Sequence, residues 1–345
     1  MKKSDLIYSI VIAVGLTGCQ STLSSEMNQA EKTNHISQNV YEVEYQHASV
    51  FLQQTVELRK AFSAYCGSGS KDQSEVKLQW HETMRAWMGL QGQERGPAKA
   101  LEQSWNVQFW PDKKNTTGRK MSVLSNSDQI WDAKQISTQS VTVQGLGALE
   151  WLLYDTSSTL DSNINTCNTS VAIAQNLQNT AQAIAEAWQR NPWKSMTKIE
   201  WESEYISLLS NQLDYSMKKL SRPLAKIGHP RPYFAESWRS GTSLANLKAN
   251  LLSMQTLYFA EGKGLDALLR EQGKEALADR VSRQFQMVVD TWPKETSLFN
   301  ELQSVDGYRT VLAQYNKLEQ LKYLIHEEVA IELGVVIGFN ATDGD

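Results

Sequence analysis

The stretch "VQGLGALEWLLYD", Val143 to Asp155, has the pattern of a buried helix with a carboxylate on its apolar face. Leu146, Leu149 and Leu153 are spaced three and seven residues apart, as on one helix face, and Glu150 falls on that same face. A buried carboxylate is costly unless a cation, a metal or several hydrogen-bond donors compensate it. We therefore expect Glu150 to point inward toward such partners.

Two glycines precede this carboxylate at the start of the same helix. Gly145 and Gly147 carry no side chain, so another backbone segment can approach the helix closely at these positions. The stretch therefore predicts a tightly packed helix start.

Helical periodicity extends over most of the chain. Phe51, Leu58 and Phe62 share one face, and the second half of the chain repeats the pattern with long apolar stripes. The sequence therefore predicts an all-α fold of long antiparallel helices in two packed helical-bundle domains. The helix breaker "NPW" at Asn191 to Trp193 places the domain boundary, which gives bundles over residues 41–192 and 193–345. Only "STQSVTVQ", residues 137–144, alternates as a strand does, and it has no second strand to pair with.

The N-terminus has the pattern of a lipoprotein signal peptide over residues 1–18. Two lysines precede the short apolar run "LIYSIVIAVGL", and "LTGC" ends at Cys19, as in the bacterial lipobox. We expect a lipidated Cys19, a membrane anchor through that lipid, and a flexible polar tether over residues 19–40. Gln20 rather than Asp after the cysteine favours the outer membrane. The alternatives are cleavage at another position or a buried N-terminal helix.

The remaining cysteines and the charge narrow the possible partners. Cys66 and Cys167 would lie in an oxidising compartment, which favours a disulfide between them over two free buried thiols. The formal net charge is −4, with no basic stripe. This balance argues against nucleic acid as a partner.

Few motifs point to catalysis. "HETMR", His81 to Arg85, begins like the zinc-protease pattern H-E-x-x-H, but Arg85 stands in place of the second imidazole. The plainer interpretation is a solvated helix face. The other histidines are scattered, although His326, followed by two glutamates, could supply one metal ligand; they are His35, His47, His229 and His326. The 11 tryptophans are expected to pack in the core rather than to form a ligand box.

Four segments together resemble one protein family. "GLGALEWLLYD" resembles the G-x-H-x-x-E signature of the imelysin-like family, and three other segments strengthen the resemblance: "VQFWPDKKN" (107–115), "AESWRSGTSLANLKANLLSMQTLY" (235–258) and the C-terminal "LGVVIGFNATDGD" (333–345). The resemblance implies an all-helical fold of two bundle-like domains, export to the bacterial cell envelope and a link to iron acquisition. It also implies a contested classification as a metallopeptidase.

The chain departs from the family pattern at one decisive position. The family glycine falls on Gly145 and its glutamate on Glu150, but its histidine falls on Gly147, which has no ligand atom. Metal-dependent hydrolysis needs about three protein ligands, so the peptidase interpretation loses a ligand it depends on. The chain thus resembles relatives that lack this histidine.

We therefore predict a non-catalytic binding or accessory role in iron uptake, with envelope proteins of iron uptake as partners. Iron or another divalent metal stays open as a ligand. One alternative is a metallopeptidase that recruits His81, His229 or His326 from distant helices. Another is a structural envelope lipoprotein.

The resemblance also suggests which groups surround Glu150. The candidates are Arg239 from "AESWRSG", Arg85 from "HETMR", and the tail that contains Asp343 and Asp345. The alternative to a binding site here is a structural ion pair that holds two helices together.

Overall fold

The computed structural model describes residues 30–335, which are helical and contain no β-strand. The all-α fold predicted from the sequence is therefore confirmed. The predicted signal peptide, Cys19, Asp343 and Asp345 lie outside the described residues. None of the helices in the described range is long and apolar enough to span a membrane. The helices are α1 Gln38–Ser68, α2 Ser74–Trp87, α3 Ala98–Leu101, α4 Ser104–Val107, α5 Thr116–Ser125, α6 Ala133–Ser137, α7 Gly145–Tyr154, α8 Ile164–Ala187, α9 Lys198–Leu224, α10 Ser243–Phe259, α11 Leu265–Glu271, α12 Glu275–Asp290, α13 Leu298–Glu301, α14 Val305–Lys322 and α15 Ala330–Leu333.

In the first half of the chain, α1 packs along both α8 and α2, and α7 packs against α8. Phe51, Leu58 and Phe62 of α1 are fully buried, as their spacing predicts. A disulfide joins Cys66 near the end of α1 to Cys167 near the start of α8, with 5.6 Å between their Cα atoms. Closing a loop of this length lowers the entropy of the unfolded chain, which stabilises the folded state by about 4 to 5 kcal/mol.

In the second half, α9 packs against α14 and α10. The start of α9 is fixed by a capping box, in which the side chains of Thr197 and Glu200 each accept a hydrogen bond from the other's backbone N–H. A seven-residue π-helix, Tyr323–Val329, continues α14 toward α15. The "NPW" segment connects α8 to α9, and both Asn191 and Trp193 are buried there. One apolar core runs through both halves of the chain, and the division at residue 193 stays a prediction.

The turn that follows α2 makes polar contacts with the second half of the chain. Asn250 of α10 donates from Nδ2 to the carbonyl oxygen of Met88 at 2.6 Å, and Gln212 of α9 donates to that of Gly89 at 3.4 Å. Side-chain amides thereby satisfy backbone carbonyls that a helix end leaves unpaired. This places the residues after Met88 directly against α9, where the candidate site is built.

Two expectations from the sequence are wrong in the structure. Residues 30–40 are not a loose tether, because Glu31 accepts hydrogen bonds from the Asn191 backbone N–H and from Lys194 Nζ, and α1 already begins at Gln38. Residues 137–144 form no strand. Without a partner strand, the segment instead forms the 3-10 turn Val141–Val143, which leads into α7.

Candidate functional site

Glu150 lies in the middle of α7 and is only 5% exposed. Its Oε1 accepts two hydrogen bonds from Ser240, one from the backbone N–H and one from Oγ, both at 2.9 Å. The inward carboxylate thus has donors, as an apolar helix face requires, and these donors are neutral. Ser240 lies in the irregular segment before α10.

Burial raises the pKa of Glu150 above its ordinary value. The Ser240 hydrogen bonds and the charge of Arg239 act in the opposite direction, while nearby Glu236 adds to the increase. Desolvation disfavours the charged form of a carboxylate, and neutral donors offset this less than a paired cation would. Glu150 is therefore a carboxyl group that holds its proton more readily than a surface glutamate.

The two glycines of α7 have different roles. Gly145 has a φ of +63°, and a Cβ placed there would lie 2.1 Å from the carbonyl oxygen of Val107, so the predicted close backbone approach occurs here. At Gly147 the corresponding space is open, with nothing within 4 Å of a Cβ. The expectation of close packing at Gly147 is wrong, because this position faces a pocket.

That pocket has a volume of about 40 Å³ and lies between α7 and the segment that carries Ser240. Glu150 and Gly147 of α7 line it, as do Glu236 and Arg239. Gln108 and Trp110 also line it. The pocket thus brings together three of the four segments on which the family resemblance rests, the signature helix among them.

Glu236 is held by a buried ammonium group. Lys219 of α9 donates from Nζ to Glu236 Oε1 and to Gln91 Oε1, and Gln91 donates in turn to Glu236 Oε1 at 2.7 Å. Burial lowers the pKa of Lys219 to about 8, although the charge of Glu236 opposes this. Within residues 30–335, Glu236 Oε2 is buried without a hydrogen-bond partner.

Of the two arginines predicted near Glu150, one lies at the site. Arg239 lines the pocket, but its Nε donates to Asp155 Oδ2 at 2.8 Å and its Nη2 to Asn115 Oδ1 at 2.7 Å. Arg85 is exposed and pairs with Glu82 on its own helix. The prediction that Arg85 surrounds Glu150 is wrong, because the side chain lies on the solvated face of α2.

The histidines do not converge on Glu150. His81 Nε2 lies 2.8 Å from the hydroxyl of Tyr154, one helical turn beyond Glu150, and burial lowers the pKa of His81. Residues 30–335 contain no group of three or more His, Cys, Asp or Glu side chains arranged to hold a metal. The other four histidines lie in separate parts of the fold: His35 contacts Met196, His47 lies beside Glu44, His229 lies in a turn with Lys226, and His326 contacts Glu327.

The residues around the pocket do not fit a tightly held metal ion. Gly147 offers no side-chain ligand, and both oxygens of Asp112 already accept backbone N–H groups, at 2.6 and 2.8 Å. The ammonium of Lys219 adds a positive charge directly beside Glu236, which repels a cation. Stable metal sites in proteins need three or four free ligands, and here most of the candidates are bound to protein donors.

The chain matches one known protein family over most of its length. The imelysin (peptidase M75) family matches residues 44–325, which is most of the chain. The chain belongs to the imelysin family. The signature helix of this imelysin-family chain, its Ser240 segment and its buried Lys219 all lie within the matched range.

Two solved structures have the same fold. An imelysin-like protein from Psychrobacter arcticum 273-4 superposes with a TM-score of 0.77 at 19% identity, covering 88% of this chain and 96% of that one. A structure from Parabacteroides distasonis ATCC 8503, named for an iron-regulated protein A precursor, gives a TM-score of 0.65 at 16% identity, covering 87% and 96%. A comparison with curated proteins gives no significant match.

Proposed function

We propose that this imelysin-family protein is an exported, lipid-anchored protein of the bacterial cell envelope with a non-catalytic binding role in iron uptake. The lipobox pattern at Cys19 supports the anchor. The Parabacteroides structure is named for an iron-regulated protein, which supports the link to iron. Membership of the imelysin family supports both the anchor and the link to iron. Its partners in this proposal are envelope proteins of iron uptake.

One observation carries the non-catalytic part of the proposal. Gly147 replaces the imidazole that would share a helix face with Glu150, and the carboxylate is already bound by two donors of Ser240. A hydrolytic metal site needs free ligands and an open coordination position. A carboxylate that already accepts hydrogen bonds from neutral donors instead favours a rigid site that binds a ligand or partner without catalysis.

The physiological part is tested by deletion and complementation under iron limitation. We expect the deletion strain to grow more slowly than wild type when iron is chelated and normally when iron is replete. Glu150→Gln should restore growth less well than the wild-type gene. Glu82→Gln, which removes an exposed carboxylate paired outside the site, is the matched control and should complement fully. Equal growth of the deletion strain at low iron would rule out the iron-uptake role.

The chemical part is tested with the purified full-length protein. We expect no stoichiometric zinc and no cleavage of protein substrates. Gly147→His should increase the zinc affinity at least tenfold, because the open space at this position accommodates the imidazole one turn before Glu150. Chelator-sensitive proteolysis by the wild type, lost in Glu150→Ala, would instead establish a metallopeptidase.

The anchor is tested by Cys19→Ser. We expect the wild type to partition into detergent and to fractionate with the outer membrane, and we expect the variant to lose acylation and remain an uncleaved precursor or a soluble species. A variant that still behaves as a processed lipoprotein would contradict the assignment of Cys19.

A further inference from the structure

A second, larger pocket of about 330 Å³ is lined by Gln91, which bonds to Lys219. Trp87, Trp105, Trp110 and Tyr215 contribute aromatic walls, and Gln91, Gln93 and Gln108 contribute side-chain amides. Gln108 and Trp110 line both this pocket and the smaller one beside Glu150. The volume falls within the range of small-molecule sites in proteins.

The walls of this pocket are fixed by internal contacts. Trp87 donates from Nε1 to Gln108 Oε1 at 3.1 Å, and Trp110 donates from Nε1 to the Phe234 carbonyl at 3.0 Å. Gly92 has a φ of +83°, and a Cβ there would lie 2.7 Å from Tyr215, so only glycine lets this turn close against α9. The pocket is therefore preformed, which lowers the entropic cost of binding a ligand.

Trp105 is the most exposed of the four aromatic residues that line this pocket. Its side chain belongs to the short helix α4 and is 51% exposed, whereas Trp87 and Trp110 are 4% and 6% exposed. A large, half-exposed indole at the mouth of a preformed pocket is a surface on which a ligand ring can stack. Packing of the tryptophans in the core, as the sequence suggests, thus describes Trp87 and Trp110 but not Trp105.

The polar groups of the lining are almost all uncharged. Side-chain amides and the Ser104 hydroxyl both donate and accept hydrogen bonds, and Glu94 is the single charged residue that lines the pocket in the described part of the chain. A pyranose ring has an apolar C–H face, which packs on an aromatic ring, and an edge of hydroxyls, which both donate and accept. The amides of Gln91 and Gln108 are already hydrogen-bonded within the protein. From this match we propose that the pocket binds an uncharged saccharide, with its ring on Trp105 and its hydroxyls toward Gln93, Ser104 and Glu94.

Charge decides between this ligand and charged alternatives. An acidic sugar would place its carboxylate in a pocket whose lining carries Glu94 and no cation. For a cationic ligand two of the four aromatic faces are already in use, because Lys219 Nζ lies 5.2 Å from the Tyr215 ring centre and Arg222 lies 5.5 Å from that of Trp110. A neutral polyol avoids both conflicts.

The test is isothermal titration of the purified full-length protein with a panel of uncharged sugars: glucose, galactose, mannose, N-acetylglucosamine, maltose and cellobiose. Glucuronic acid is the charged probe. We expect saturable binding of at least one uncharged sugar, binding at least tenfold weaker for glucuronic acid than for that sugar, and a smaller difference in Glu94→Gln. Trp105→Ala should raise the dissociation constant at least tenfold.

Tyr323→Ala is the matched control, because Tyr323 is 57% exposed and lies in the π-helix away from the pocket. This variant should bind the sugar as the wild type does. Absence of saturable binding for every uncharged sugar, or equal binding by Trp105→Ala and wild type, would overturn the proposal. Glu150 and iron-dependent growth play no part in this assay, so its outcome is separate from that of the proposed function.

Discussion

Glu150 and Glu236 line the same pocket, yet the protein holds the two buried carboxylates in different ways. Glu150 is bound by the neutral N–H and hydroxyl of Ser240, and burial raises its pKa. Glu236 is bound by the ammonium of Lys219, whose own pKa burial lowers to about 8. Neutral donors leave Glu150 with a raised pKa, whereas Glu236 has a positive charge directly beside it.

The largest effect is expected from removing the cation. Lys219→Met should lower the free energy of unfolding by about 3 to 5 kcal/mol, because it leaves Glu236 buried and uncompensated. The measurement is urea-induced unfolding, and Lys218→Met, a change at the neighbouring half-buried lysine, is the control. If adding Glu236→Gln to Lys219→Met restores none of the loss, the pair is not the cause.

The next effect tests how the signature helix is positioned against its neighbours. Gly145→Ala should cost about 3 kcal/mol, because the added methyl group combines a left-handed backbone with a clash against the Val107 carbonyl. Gly147→Ala is the matched partner and should stabilise the fold by about 0.5 to 1 kcal/mol, since its backbone is helical and the space is open. Thermal unfolding of both variants checks this, and a stabilised Gly145→Ala would contradict the geometry.

Removing the other carboxylate should have a smaller effect than removing Lys219. Glu150→Ala is expected to cost about 1 to 3 kcal/mol, the penalty for leaving the two Ser240 donors without an acceptor. The loss is limited because Arg239 keeps its bonds to Asp155 and Asn115 and is not stranded. Glu82→Ala, at an exposed position, should change stability by less than about 0.5 kcal/mol. If Glu150→Ala lowers the free energy of unfolding as much as Lys219→Met does, both carboxylates are stabilised by a charged partner.

The smallest effect is a difference in pH dependence. The folded pKa of Glu150 lies above its ordinary value of 4.5, so its contribution to stability is present below about pH 4.5 and is lost as the pH rises through the folded pKa. Glu150→Gln lacks this titration. The melting temperature of the wild type, relative to that of Glu150→Gln, should therefore fall as the pH rises above about 4.5. If the melting temperatures of the two proteins change with pH in parallel, burial does not shift the pKa of Glu150.

Local sequence patterns correctly indicated several features. The spacing of Leu146, Leu149 and Leu153 predicted that Glu150 points inward, and helical periodicity predicted the all-α fold. Residues three and four positions apart share one face of a helix, so the local spacing of apolar residues is enough to predict which face is buried. The pairing of Cys66 with Cys167 needed only the compartment and the number of remaining cysteines.

The partners of Glu150 were harder to predict. Arg85 and Arg239 both offered a cation to the buried carboxylate, but the structure supplies Ser240 instead, from a segment 90 residues away in the chain. A serine has no charge or spacing that marks it as a partner. Lys219 was missed although Gln212, Ser216 and Lys219 form a polar stripe on α9, the one signal that could have indicated a buried polar face.

The sequence by itself determined that the chain is helical and that one carboxylate enters the core, because these depend on the chemistry of neighbouring residues. Only the tertiary structure decided what that carboxylate meets. The Lys219–Glu236 pair and the Trp105 pocket exist because α9 lies across the turn after α2. Such contacts depend on how whole helices pack, and the spacing of residues within one helix does not determine that packing.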